Sequence, residues 1–271
     1  MSNKITFRIL AIVLLGVFTL AGCVARQIQP HPGAIAQIRG IYLVPMETRP
    51  LSINSAYVAT GSSSIVHFLP RYTIGMARTV GVLSGIAVLL ELPELAQRRQ
   101  EYPSSVQSQI SSVETWHLSV QLAQKAVHLI EAAGKRPTLS SDIQPISGIQ
   151  NRERTVLMEN WLAPIRAWYN DTSHTSRYAV LAVKDVGAVA EIGISNYELF
   201  SGKLLLQIHV KLIDPTSGQL LGRARASSYT DLPSMDEAFA DDARLFKESV
   251  LRAGIALLTT CLRELDVLKM E

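Results

Sequence analysis

The chain is poor in the residues that usually announce chemistry. Among 271 residues there are two cysteines, 6% aromatic residues and 18% charged residues. Two cysteines cannot build a disulfide framework or the paired Cys-x-x-Cys spacing of zinc and redox sites. There is no Gly-x-Ser-x-Gly elbow and no His-Glu-x-x-His pair. There is also no Gly-x-x-x-x-Gly-Lys-Ser/Thr phosphate loop and no helix-opening Gly-x-Gly-x-x-Gly. The residue patterns for the commonest hydrolase, metalloprotease and nucleotide-binding chemistries are therefore missing. No catalytic, cofactor-binding or metal-binding residue is expected. Charge is nearly balanced at a formal +3. With Lys4 and Arg8 set aside, 24 basic residues face 23 acidic ones. Such a balance does not point to a polyanion, so nucleic acid is not an expected partner. What the chain does have is apolar content, 48%, enough for a sizeable core.

The longest uninterrupted apolar runs are short. Residues 9–20 are apolar except for one threonine and follow the basic residues Lys4 and Arg8. A membrane-spanning helix needs about 20 apolar residues. A basic start, a shorter apolar centre and small residues at a cleavage point describe a secretory signal. The run ends Leu20-Ala21-Gly22-Cys23. This ending resembles the lipobox of bacterial lipoproteins. The resemblance implies that residues 1–22 are a signal peptide, that Cys23 becomes the acylated first residue, and that the protein is held to a membrane through it. Two or three acyl chains anchor stably, where one does so only reversibly. Val24, not aspartate, follows the cysteine. In that family this favours the outer membrane, periplasm-facing, with the outer leaflet of the inner membrane as the alternative.

Residues 23–37, with Gln27, Gln29, Pro30, Pro32 and Gly33, read as a lipidated tether, and 38–271 as a single α+β domain. Within it, 38–46 predicts a first strand and 47–64 a loop. Residues 104–133 carry apolar positions every three or four residues and predict a long helix, stopped by Gly134. Residues 137–150 predict a loop. Residues 152–168 predict a shorter helix with a kink or break at Pro164. The period then changes to two. Residues 178–183, 188–199, 204–213 and 219–226 predict strands, the last two joined by a turn at Asp214-Pro215-Thr216-Ser217-Gly218. Residues 234–268 predict a final helix capped by Ser234, with Asp236 and Glu237 in its first turn. The fold class is α+β: an antiparallel β-meander packed against long amphipathic helices.

Residues 74–92 stand apart. From Thr79 to Leu90 no residue is charged, and Gly81 and Gly85 are spaced for close helix packing. Leaving this run in water costs about 25 cal/mol per Å² of apolar area. It needs cover from the domain's own core, from the membrane, or from a second copy or other partner.

Few residues invite a chemical role. His31, His67, His117, His128, His174 and His209 are scattered. His117 and His128 share a helix face but lie about 16 Å apart along it, too far to share a metal. His209 falls on the polar side of the 204–213 strand and is expected in solvent. Asp214 reads as a turn former and Cys261 as a buried small hydrophobe. Trp161, Trp168 and Tyr169 form an aromatic cluster, expected in the core, with a partner groove as the alternative. The 204–226 hairpin, an apolar strand ending in Asp214, a Gly-containing turn and a returning strand, resembles hairpins of envelope lipoproteins related to the curli secretion channel and to penicillin-binding-protein activators. That resemblance implies a compact α/β domain with helices on a mixed sheet, acting by assembly or partner binding. The expected function is a non-enzymatic, lipid-anchored envelope component for interaction or assembly. An envelope hydrolase with a site built from distant residues is the alternative.

Overall fold

The structure, a computed structural model, describes residues 27–31, 33–54, 113, 115–149, 159–200 and 203–269. Cys23 and the apolar segment 74–92 lie outside the described residues. The described chain is α+β. Six strands form one mixed sheet: β1 (Gly40–Pro45), β2 (Ser52–Asn54), β3 (Arg136–Leu139), β4 (Ala188–Phe200), β5 (Lys203–Ile213) and β6 (Leu220–Asp231). Three helices pack on it: α1 (Leu118–Ala132), α2 (Glu159–Asn170) and α3 (Met235–Glu264). The order across the sheet is β3-β1-β4-β5-β6, with β2 also pairing β4.

The strands β4, β5 and β6 form the expected antiparallel meander. The sheet as a whole is not antiparallel, because β1 runs parallel to both β3 and β4 and β2 runs parallel to β4. Two of these strands fall in expected loops. β3 lies at the start of the 137–150 stretch and includes Pro137. A proline has no N–H for a ladder and is tolerated at an edge, which is where β3 lies. β2 is three residues long and falls within 47–64. The expected strand 178–183 is instead a short 3-10 helix, Ala179–Lys184, ended by Asp185 in the left-handed region at φ 59°.

Each helix has a local reason. In α1, Leu118, Leu122, Ala123, Ala126 and Ile130 are buried along one stripe. Gly134, at φ +78°, turns the chain, and Lys135 N–H bonds the Ile130 carbonyl five residues back. α2 runs through Pro164 without ending there. α3 begins as expected, with Ser234 Oγ accepting from Glu237 N–H. It is not one continuous rod: Ala240 to Ala243 leave helical geometry, three of them at positive φ. The break lets Phe239 and Phe246, stacked 4.8 Å apart, both reach the interior.

Side-chain alternation then divides the sheet into two faces. Leu204, Leu206, Ile208, Val210 and Leu212 of β5 point to one face and are fully buried beneath α1 and α3. At about 1.5–3 kcal/mol for each such side chain, this strand alone organises the larger core. The α3·β5 and α3·β6 packing follows the expected pairing of the final helix with the meander. A smaller core on the opposite face gathers Val44, Val189 and Ile213 under Trp161 and Ile165 of α2. Part of the segment read as a tether lies on the domain. Ile28 exchanges two backbone hydrogen bonds with Arg223 of β6, and Ile35 is buried in the larger core.

Candidate functional site

The polar residues of the meander share one face and stand in rows. Glu191 of β4 is opposite Lys211 of β5, which is opposite Arg223 of β6. The next row is Gly193, His209 and Arg225. A bulge at Ile194/Asn196 then places Ser195 beside Gln207. Sequence alternation identified this face as polar, but it is not in solvent. The C-terminal half of α2 covers it, and Glu191, His209 and Lys211 are each at most 5% exposed.

The reason is an unsatisfied helix end. The last carbonyls of α2 have no partner within the helix, and its last turn contains no basic residue. The sheet supplies the missing donors. Lys211 Nζ donates to the Trp168 carbonyl at 2.9 Å, and Arg223 Nη1 donates to the Tyr169 carbonyl at 2.8 Å. Two cations at the negative end of a helix dipole are favourable. Both also lie over rings, Lys211 5.7 Å from the Trp168 centroid and Arg223 5.1 Å from that of Tyr169. Glu191 balances them. It accepts from Trp168 Nε1 and from Tyr178 Oη, each at 2.7 Å, and Arg177 approaches to 3.7 Å. Burial pulls the Lys211 ammonium below its ordinary pKa, opposed by the nearby charges of Glu191 and Asp171. Burial raises the Tyr178 phenol, and the Glu191 carboxylate adds to that rise. Gly193 makes room for this arrangement: a Cβ there would stand 2.6 Å from the Trp168 ring.

His209 is the clearest departure from the sequence expectation. It is buried, with its ring 4.3 Å from that of Tyr169, and burial together with the Arg225 charge pushes its pKa down to about 3. Ser195 Oγ donates to Gln207 Oε1 at 2.7 Å. His209 Nε2 lies 2.7 Å from the same Oγ and therefore donates its hydrogen to it. Nδ1 is left buried with no partner. Arg49 closes this end. It donates to the Ser195 carbonyl and to Glu198 Oε1, a buried ion pair at 3.0 Å.

Next to that pair is a cavity of about 520 Å³, between the loop linking β1 to β2 and the start of α1. Glu47, Arg49, Trp116, His117, Trp161 and Tyr197 are among its lining residues. Its size suits a small molecule or an inserted side chain. Glu47 Oε2 already accepts the Ile146 N–H at 3.3 Å.

The other candidates resolve individually. Trp161 and Tyr169 are buried, and Trp168 is half-buried, so the aromatic cluster is interior packing, with one edge of Trp161 on the cavity. His117 opens α1 beside the cavity, whereas His128 is exposed and 3.6 Å from Glu131. Asp214 organises the β5–β6 turn, accepting from Thr216 N–H and Ser217 Oγ. Cys261 is buried with a raised thiol pKa caused by burial, the environment of an unreactive cysteine. Among the described residues no group of three or more His, Cys, Asp or Glu is placed to hold a metal, and no helix is long and apolar enough to cross a membrane. The Arg49–Glu198 pair had no sequence signal, because its partners are 149 residues apart and meet only through β2–β4 pairing.

No protein-family model matches the chain, and no curated protein matches it in sequence. Among solved structures, it is similar to a point variant of the PelC dodecamer from Paraburkholderia phytofirmans, with 10% identity and a TM-score of 0.36, covering 89% of this chain and 96% of that one. The PelC dodecamer in another crystal form gives 9% identity and a TM-score of 0.36, covering 89% and 94%. The lipoprotein GNA1162 from Neisseria meningitidis gives 14% identity and a TM-score of 0.26, covering 71% and 81%. Similarity at this level does not define a family.

Proposed function

We propose that the chain is a non-enzymatic lipoprotein of the bacterial envelope, anchored through acylated Cys23 and acting as an interaction or assembly component. The observation that carries the anchoring is Leu20-Ala21-Gly22-Cys23 after a basic and then apolar start. The preferred location is the outer membrane, facing the periplasm. The buried polar network supports a structural use of its groups. Lys211, Arg223 and Glu191 are committed to holding α2 on the sheet. The apolar run 74–92 needs cover from the domain's own core, from a second copy or partner, or from the membrane, and own-core burial is the preferred reading.

One contact favours the hydrolase reading: Ser195 and His209 stand within hydrogen-bond distance, as a nucleophile and base would. The details oppose it. The Ser195 hydrogen goes to Gln207, so the histidine donates to the serine instead of accepting from it. No carboxylate orients Nδ1, and a pKa near 3 makes a weak base at neutral pH.

Two measurements on protein isolated from membranes test the proposal. Mass spectrometry is expected to find a diacylglycerol thioether on Cys23 as the first residue. A serine-directed fluorophosphonate is expected to leave Ser195 unlabelled. An unmodified Cys23 removes the anchor. An adduct on Ser195 replaces the interaction protein with a hydrolase.

A further inference from the structure

Gln27 and Ile28 are seated, not free. Ile28 N–H bonds the Arg223 carbonyl at 3.0 Å and the Arg223 N–H bonds the Ile28 carbonyl at 2.7 Å. Gln27 Nε2 donates to the Arg225 carbonyl and to Glu264 Oε2, each at 3.1 Å. A Cβ on Gly222 would touch the Ile28 carbonyl, Pro30 and Leu265 at 3.0 Å, so this stretch lies tight between β6 and the end of α3. The Ile28 bridge is antiparallel, so the chain traced back toward Cys23 heads along β6 from Arg223 toward Arg225.

The distance left to the anchor is short. From Cys23 to Gln27 there are four residue steps, which span at most about 14 Å when fully extended. The sheet is wider than that. From β6 to β3, four strand spacings separate the two edges, about 19 Å. A domain fixed at Gln27 on so short a leash cannot turn its β3 edge to the surface that holds the lipid.

We infer that the domain meets the bilayer through the outer edge of β6 and the adjoining C-terminal end of α3, with a phospholipid surface as the partner. This rests on the proposed acylation of Cys23. The residues along that edge suit the role. Tyr229 lies four residues beyond Arg225 on β6, about 13 Å along the strand. Tyr229 is 37% exposed and has Lys203 Nζ, itself paired with Asp231 at 2.9 Å, 5.4 Å from its ring centroid. An amphipathic ring with a cation above it belongs to the side-chain types that settle at headgroup level. Lys269 is exposed just beyond α3.

The test uses mature lipidated protein inserted into preformed phosphatidylethanolamine–phosphatidylglycerol vesicles, some of whose headgroups carry a nitroxide. A bimane is attached at Ser227→Cys on β6 or at Ser141→Cys beside β3, both exposed positions. Cys261 is buried and Cys23 is blocked by its thioether, so neither competes for the label. Quenching several-fold stronger at position 227 than at 141 is expected. Inserting about twelve Gly and Ser residues between Val24 and Ala25 adds about 19 Å of average reach and is expected to erase the difference. Equal quenching, stronger quenching at 141, or a difference that survives the insertion overturns the inference, including the case in which a second copy covers the β6 edge. If mass spectrometry finds Cys23 acylated while quenching is equal, only the membrane-facing surface is refuted. If Cys23 carries a free thiol, the anchoring and this inference fall together.

Discussion

Acid should destabilise this protein through His209. In the unfolded chain a histidine titrates near pH 6.5, whereas in the folded protein burial and Arg225 hold His209 at about 3. Between those values the unfolded state binds the extra proton and the native state does not. The stability contributed by keeping this ring neutral is therefore complete above pH 6.5 and is lost as pH falls toward 3. Linkage makes the loss about 2 kcal/mol from pH 7 to pH 5 and about 3 kcal/mol by pH 4. Asp171 and Asp214, whose folded pKa values are also lowered, add losses at the acid end. A variant isolates the histidine term. His209→Gln keeps a donor for Ser195 and cannot titrate. Urea unfolding of both proteins, followed by tryptophan fluorescence between pH 4 and 7.5, should give a flatter stability profile for the variant by about 2–3 kcal/mol over that range. Parallel profiles would refute the reasoning. So would a nuclear magnetic resonance titration placing the His209 pKa near 6.5 in the native state.

Three further outcomes follow from the same network. Lys211→Met removes a charged donor from the end of α2 and should cost about 1.5–3 kcal/mol in urea unfolding. Combined with Glu191→Gln it should cost less than the sum of the two, since both belong to one network. Gly193→Ala should drive a methyl into the Trp168 ring, lower stability by about 1–3 kcal/mol and change the near-ultraviolet circular dichroism of that tryptophan. Arg49→Met leaves the Glu198 carboxylate buried and unpaired and should cost about 3–5 kcal/mol by the same unfolding assay, most of it recovered when Glu198→Leu is added.

Much of the architecture was legible along the chain. The strongly periodic elements β4, β5, β6, the first helix from Leu118 onward, and the final helix lie where their apolar spacing put them, whereas Thr115 to His117, expected inside the first helix, are not helical and His117 caps it. The Asp214 turn and the Ser234 cap were readable because each uses side chains within three residues of its backbone partners. The misread elements lack such local signals. β2 and β3 are three and four residues long, too short to show a period, and they exist because β1 and β4 offer parallel edges for them. The stretch Ala179–Lys184 is apolar enough to imitate a strand, but it coils beside α2, where Leu181 joins the smaller core.

Composition and local pattern by themselves determined the α+β class and which face of each meander strand is apolar. Only the tertiary structure decided what became of the polar face. Alternation says that Gln207, His209 and Lys211 point the same way, and nothing local says whether water or protein waits there. The answer came from α2, whose uncapped carbonyls need donors and whose tryptophan needs an acceptor. The sheet holds Lys211, Arg223 and Glu191 at the positions that satisfy them. Desolvating those charges is tolerable because each finds partners on another element, from 13 to 54 residues away along the chain. Such pairing is a property of the folded surface, and no window along the sequence contains it.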